Sequence, residues 1–162
     1  MVHLMNRNTQ EASLINTVVL NETTLLRRML ASGANANARD PEHQWTPLMM
    51  ARSDEAVLLL LDYGADVDAR DDRGMTALMW HSLGKHRHGP NIVSILAQHG
   101  ADVNARTKDG ESVLHFAIAS GDPARVSLLL RLGARPTPQD IEEATDYGYI
   151  TMAAELRGAL VM

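Results

Sequence analysis

The 162-residue chain contains no cysteine. That excludes disulfide staples, thiolate metal sites and a cysteine nucleophile, and it fits a reducing, cytoplasmic setting. Aromatic residues are nearly as scarce, at 4%: Trp45, Tyr63, Trp80, Phe116, Tyr147 and Tyr149. A core this poor in rings must be assembled from Leu, Val, Met and small Ala contacts. That favours packed helices over a β-sandwich. No stretch approaches the roughly 18 apolar residues of a transmembrane helix. The first residues, Met1 to Asn8, carry no apolar segment of the signal-peptide kind, so no secretory signal is expected. Net charge is −5 and no basic patch stands out, so neither nucleic acid nor an anionic membrane is an expected partner. Gly-rich phosphate loops, Gly-x-Ser-x-Gly and His-Glu-x-x-His are missing too. A chain without catalytic residues or cofactor is therefore expected.

What is abundant is Leu and Ala, 21 of each, in a composition 45% hydrophobic and 22% charged. Length and composition suit one domain. The length is also close to five units of about 33 residues, a known repeat period. Gly-Ala recurs at Gly33-Ala34, Gly64-Ala65, Gly100-Ala101 and Gly133-Ala134, at intervals of 31, 36 and 33 residues. Each pair follows a Leu-rich helical stretch, where Gly supplies the left-handed residue that closes a helix. The first three pairs open similar runs: Asn35 to Arg39, Asp66 to Arg70 and Asp102 to Arg106. A second anchor follows 12 or 13 residues after each of these Gly residues, at Thr46-Pro47-Leu48, Thr76-Ala77-Leu78 and Ser112-Val113-Leu114. Thr and Ser are good N-caps, and Pro47 fits the first helical position.

A turn, a short helix, a loop, a second helix and a Gly stop, repeated in this way, resemble the ankyrin repeat. The best match runs from Asp109-Gly110 through Ser112, Leu114-His115, Ala117, Gly121, Val126 and Leu129-Leu130 to Gly133-Ala134. The resemblance implies an all-α solenoid of about five stacked helix-turn-helix units with short β-hairpin-like fingers. One domain, 1–162, would hold repeats near 10–34, 40–65, 71–101, 107–134 and 138–160, the first and last as caps.

The departures from pattern are specific. Asn21 and Gln44 stand where Gly is usual. Unit two is three residues short between Thr46 and Gly64, and unit three is three long, the excess lying within Gly84 to Pro90. Unit five lacks the finger that precedes units two to four. His115 alone keeps the family His, while Met49 and Met79 replace it and are expected to lose its hydrogen bonds. Leu48, Leu78 and Leu114 should fill one core layer. Leu60-Leu61, Ile95-Leu96 and Leu129-Leu130 should fill the next.

The resemblance also implies a protein partner, bound by a monomer along the finger tips and first-helix face. The candidate contacts are Arg39, Glu42, His43, Trp45, Asp72, Arg73, Met75, Lys108, Asp109 and Glu111, with Asp40 and Asp71 beside them. Charged loop tips are equally served by solvation, since most interface residues contribute little. Trp45 is sharper, because Trp is enriched at binding hot spots, although it could instead pack over the first helix. Met50, Trp80 and Phe116 fall in one row, open to reading as a partner strip or as half-buried scaffold. Such a domain would be an adaptor, an inhibitor or an immunity-type partner. The alternative is a metal- or ligand-responsive sensor using the His-rich insertion 81–88, with His81, His86 and His88 as candidate ligands. Leu96, Asp102, Val103 and Asn104 also resemble the ankyrin sequence modified by asparaginyl hydroxylases. The same residues are simply the finger consensus.

Overall fold

The first helices of units three to five begin with a side chain that accepts a free N–H group of the helix start. Thr76 accepts from Met79 N, Ser112 from His115 N and Thr137 from Asp140 N. Ser53 and Asp122 cap second helices in the same way. Substituting such caps by Ala costs about 1 kcal/mol each. The computed structural model describes residues 14–84 and 89–161. Over these residues the chain forms helix α1 (residues 14–19), then α2 (Thr23–Ala31), α3 (Pro47–Met50), α4 (Asp54–Asp62) and α5 (Ala77–Ser82). There follow α6 (Gly89–Gln98), α7 (Val113–Ala119), α8 (Pro123–Arg131), α9 (Pro138–Asp146) and α10 (Ile150–Leu160).

The four Gly-Ala pairs terminate helices in one identical way. After α2, Gly33 N–H bonds the Leu30 carbonyl and Ala34 N–H bonds that of Met29. Gly64-Ala65, Gly100-Ala101 and Gly133-Ala134 repeat these two bonds on the carbonyls of α4, α6 and α8. The Gly residues take φ between 79° and 95°, the left-handed region this closure requires. Among the described residues two non-glycines share that region: Asn21 at 57° and Gln44 at 60°. These are the two positions where sequence spacing asks for Gly. Asn tolerates the conformation, whereas Gln is strained there by roughly 1 kcal/mol. Gln44→Gly is therefore expected to stabilise the chain by about 0.5–1 kcal/mol and raise Tm by about 2 °C, read by thermal melting. A lower Tm would count against strain at this turn.

The helices form two layers. First helices touch in succession, α3 on α5, α5 on α7 and α7 on α9; α2, α4, α6, α8 and α10 do the same behind them. Leu48, Leu78 and Leu114 are at most 1% exposed and fill the first layer as expected, with Ala51, Ala117 and Ala144 allowing close approach. Of the three pairs expected in the second layer, Leu60, Leu96 and Leu129 are fully buried, while Leu61, Ile95 and Leu130 are partly exposed. Successive residues lie about 100° apart around a helix, so one Leu of each pair faces the seam and its neighbour turns away.

Met49 and Met79 are buried in the slot of the family His, and Met49 does keep a weak bond, its Sδ accepting Thr46 N–H at 3.4 Å. The shortening of unit two has a second consequence. Helix α3 is only four residues long, and Ala51 is extended. A helix that short leaves its carbonyls without intrahelical partners. His81, on the neighbouring α5, places Nε2 3.1 Å from the Leu48 carbonyl. A His in place of a small residue thus fits the truncated helix beside it.

Candidate functional site

Three fingers project from the first-helix layer, each tied by its own acid or hydroxyl. Asp40 Oδ2 accepts the N–H groups of Glu42 and His43, and its Oδ1 that of Trp45. Asp71 Oδ1 accepts from Arg73 N at 2.9 Å and Met75 N at 2.8 Å, while Oδ2 accepts the Trp80 indole N–H at 3.0 Å. Thr107 Oγ1 accepts from Glu111 N. Asp40 and Asp71 therefore build the fingers, and Asp71 is only 5% exposed.

The fingers are also tied to one another. Asp72 N–H bonds the His43 carbonyl, and Lys108 N–H bonds that of Arg73, both at 3.1 Å. Beneath these tips, Arg39 Nη1 donates to the carbonyls of Gln44 (3.1 Å) and Arg70 (2.6 Å). Arg70 Nη1 repeats the pattern on Gly74 (3.0 Å) and Arg106 (2.6 Å). Arg39 is thus a staple between units, with its guanidinium turned onto backbone. Asn104 is engaged in a parallel ladder: its Nδ2 donates to the Gly133 carbonyl and its Oδ1 accepts Arg135 N–H.

On this frame the candidate contacts separate into three groups. His43, Trp45 and Trp80 form an aromatic cluster. The His43 and Trp45 rings lie 4.4 Å apart, and Trp45 meets Trp80 edge-on at 5.4 Å. Both Trp side chains are half-buried, with exposed Glu42 and Asp72 beside them. His43 Nδ1 lies 4.0 Å from Asp72 Oδ2. The second group is charged. Arg73 approaches Glu111 at 3.9 Å, and Lys108 Nζ donates to the Asp72 carbonyl at 2.6 Å. Asp109 is exposed at a finger tip.

The third group is enclosed. Met75 is 1% and Phe116 5% exposed, so neither presents a surface. Met75 follows a finger acid that turns the chain inward, and Phe116 packs edge-on against His115 at 5.1 Å. Along the row, Met50 and Trp80 are half-buried against the core and Phe116 belongs to it. His81, offered as a metal ligand, is 2% exposed and faces the Leu48 carbonyl. His86 and His88 lie outside the described residues. Among the described residues no three His, Asp or Glu side chains are arranged so that they could hold a metal ion.

Sequence reasoning missed an acidic extension of this face on the last unit. His115 lies between Glu111 (3.5 Å) and Glu143 (2.9 Å), and a cavity of about 390 Å³ beside it is lined by Glu142, Asp146 and Tyr147. The signal was in the register, since Ser112 and Thr137 are equivalent caps and Glu143 lies one helical turn beyond the counterpart of His115.

Among the described residues no helix is long and apolar enough to cross a membrane. Comparison with protein families finds one described as "Ankyrin repeats (3 copies)", matching residues 14–104 and 52–140. Human "Ankyrin repeat and SOCS box protein 6" is 37% identical over 104 residues, 59% of this chain and 24% of that protein. Human "SH3 and multiple ankyrin repeat domains protein 2" is 33% identical over 135 residues, 77% of this chain and 7% of that protein. "Mitochondrial disaggregase" of Bos taurus is 30% identical over 147 residues, 83% of this chain and 20% of that protein. The chain spans about a quarter or less of the length of these relatives.

Proposed function

The chain belongs to the ankyrin-repeat family, and on that premise we propose that it is a non-catalytic protein-binding domain whose partner docks across the fingers and first helices. In this reading residues 1–162 act as one domain, a cytoplasmic monomer in an adaptor, inhibitor or immunity-type role. The contacts are His43, Trp45, Trp80, Glu42, Asp72, Arg73, Lys108, Asp109 and Glu111, with Arg39 at the rim.

The observation that carries the reading is the aromatic cluster. Two tryptophans, the only two in the chain, meet edge-on and half-exposed on a face that also exposes the charged Glu42, Asp72 and Arg73. Large rigid rings framed by polar groups are the composition of a binding hot spot. The test is affinity capture from the source cell with mass spectrometry, followed by titration of the captured partner. Trp45→Ala is expected to weaken binding about tenfold or more while leaving Tm within a few degrees; Arg73→Ala should weaken it about threefold. Trp80→Ala is a poorer probe, because Trp80 also satisfies buried Asp71. Unchanged affinity in both the Trp45 and Arg73 variants would sink the proposal.

A further inference from the structure

The row of fingers ends abruptly at the fourth unit. Ser112 follows Asp102 by ten positions, but Thr137 follows Arg135 by only two. These positions are equivalent: Arg135 N–H bonds Asn104 Oδ1 just as Asp102 N–H bonds Asp68 Oδ1, and Thr137 caps its helix as Ser112 does. The last unit thus begins without a finger. The finger at 106–112, closed by the Arg106–Ser112 bridge, has an open outer edge.

That edge carries groups that are paired in both earlier fingers. Arg39 and Arg70 each donate to one carbonyl in their own finger and one in the next; Arg106 donates to its own Gly110 carbonyl at 2.7 Å and, among the described residues, to no second one. The His43 and Arg73 carbonyls accept an N–H from the following finger, and Asp109 is the equivalent residue. A Cβ on Gly74 would lie 3.0 Å from the Lys108 backbone nitrogen, whereas one on Gly110 would meet nothing within 4 Å. Two cavities open along this edge, of about 350 and 300 Å³, sharing a wall of Arg106, Ser112 and Thr137. Val103, Leu114, Ala134 and Pro136 give the first an apolar side, while the second is faced by Asp109, Glu111 and Glu143.

We infer that this edge is a second docking site, which takes an extended basic peptide segment of a partner protein in place of the missing finger. The inference rests on the protein-binding reading and shares Asp109 and Glu111 with its contacts, but not the aromatic cluster. Between the existing fingers, Arg39 bonds the Arg70 carbonyl while Asp72 N–H bonds the His43 carbonyl. By that register the incoming residue i gives its carbonyl to Arg106, and residue i+2 gives its N–H to the Asp109 carbonyl. Main-chain pairing of this kind supplies affinity, and alternate side chains supply specificity. Successive side chains of an extended segment point to opposite sides. One set enters the apolar cavity and the other the acidic one, so the preferred segment alternates small apolar residues with Lys or Arg.

A random dodecapeptide display library panned on the full chain tests this, with anisotropy titrations of the selected peptides. Enrichment of alternating apolar and Lys/Arg residues is expected, with Asp109→Asn weakening the peptides about threefold. Inserting a copy of residues 104–111 between Pro136 and Thr137 restores a finger and should abolish their binding. If that insertion unfolds the chain by circular dichroism, Arg106→Met decides instead, with at least fivefold weaker binding expected. Failure to capture any peptide, peptides without the basic alternation, or binding indifferent to the insertion or to Arg106→Met would overturn the inference. So would a dimer in sedimentation that the insertion abolishes, since the edge would then serve a second copy. Peptides lost on Trp45→Ala but kept by the insertion variant would overturn it while supporting the first-helix face. Peptides lost on insertion and indifferent to Trp45→Ala would support it whatever becomes of that face.

Discussion

Asp71→Ala is expected to destabilise the chain by about 3 kcal/mol, lowering Tm by about 6–12 °C. The carboxylate is 5% exposed and accepts three hydrogen bonds, two from backbone and one from the Trp80 indole. Bonds to a charged group contribute about 1.5–3 kcal/mol each, and removing the acceptor leaves buried donors unsatisfied. Met75 N–H is such a donor, in a residue only 1% exposed. Asp40 offers the control. It ties its finger through the same kind of bonds, but Glu42 and His43 are exposed there and Trp45 is only half-buried, so water can replace most of the lost acceptor. Asp40→Ala should cost about 1 kcal/mol. Asp71→Asn should fall between the two: its amide oxygen can keep the finger turn, while its NH₂ would confront the Trp80 N–H, and two donors cannot pair. Urea denaturation followed by tryptophan fluorescence ranks the three, because both tryptophans sit at these fingers. Equal losses for Asp71→Ala and Asp40→Ala would mean that burial of Asp71 contributes nothing.

Asp71 also marks the limit of what could be read from sequence. Caps and Gly-Ala closures were legible because they are local: Thr76 bonds a residue three positions on, and Ala34 reaches back five. The strain at Gln44 was legible as a Gly slot filled by another residue. Burial of Met75 and Phe116 was not, since it depends on how a finger turns over its neighbour and how α7 rotates in the layer. The bond of His81 could not be read along the chain, because its partner is the end of a shortened helix in another unit. The missing fifth finger could be counted from residue numbers. What its loss exposes could not, because the open groups at Arg106 and Asp109 are defined by pairings between fingers rather than along one.

Leu78→Ala should cost about 3–4 kcal/mol, within the range of about 2–5 for buried Leu→Ala. Leu78 is 0% exposed on α5, which packs on α3, α6 and α7. Leu156, also 0% exposed, lies on α10, which packs on α8 and α9 at the end of the stack. Burial alone predicts equal losses. In a linear array, however, stability is a sum of unit terms and nearest-neighbour interfaces. A cavity at Leu78 weakens both interfaces of a central unit, so every longer folded segment must contain the defect. A cavity at Leu156 weakens one interface, and the remaining units can stay folded while the last one frays. Amide exchange therefore separates the two variants better than a single melting temperature does. Leu156→Ala should accelerate exchange in α9 and α10 and leave α3 to α6 near their original protection. Leu78→Ala should accelerate exchange in α5 and α6 and spread to α3, α4, α7 and α8. Uniform acceleration over the whole chain by Leu156→Ala would show instead that the stack unfolds as one cooperative unit. Binding at one end would then stabilise the other, coupling the open finger edge to the aromatic cluster through stability alone.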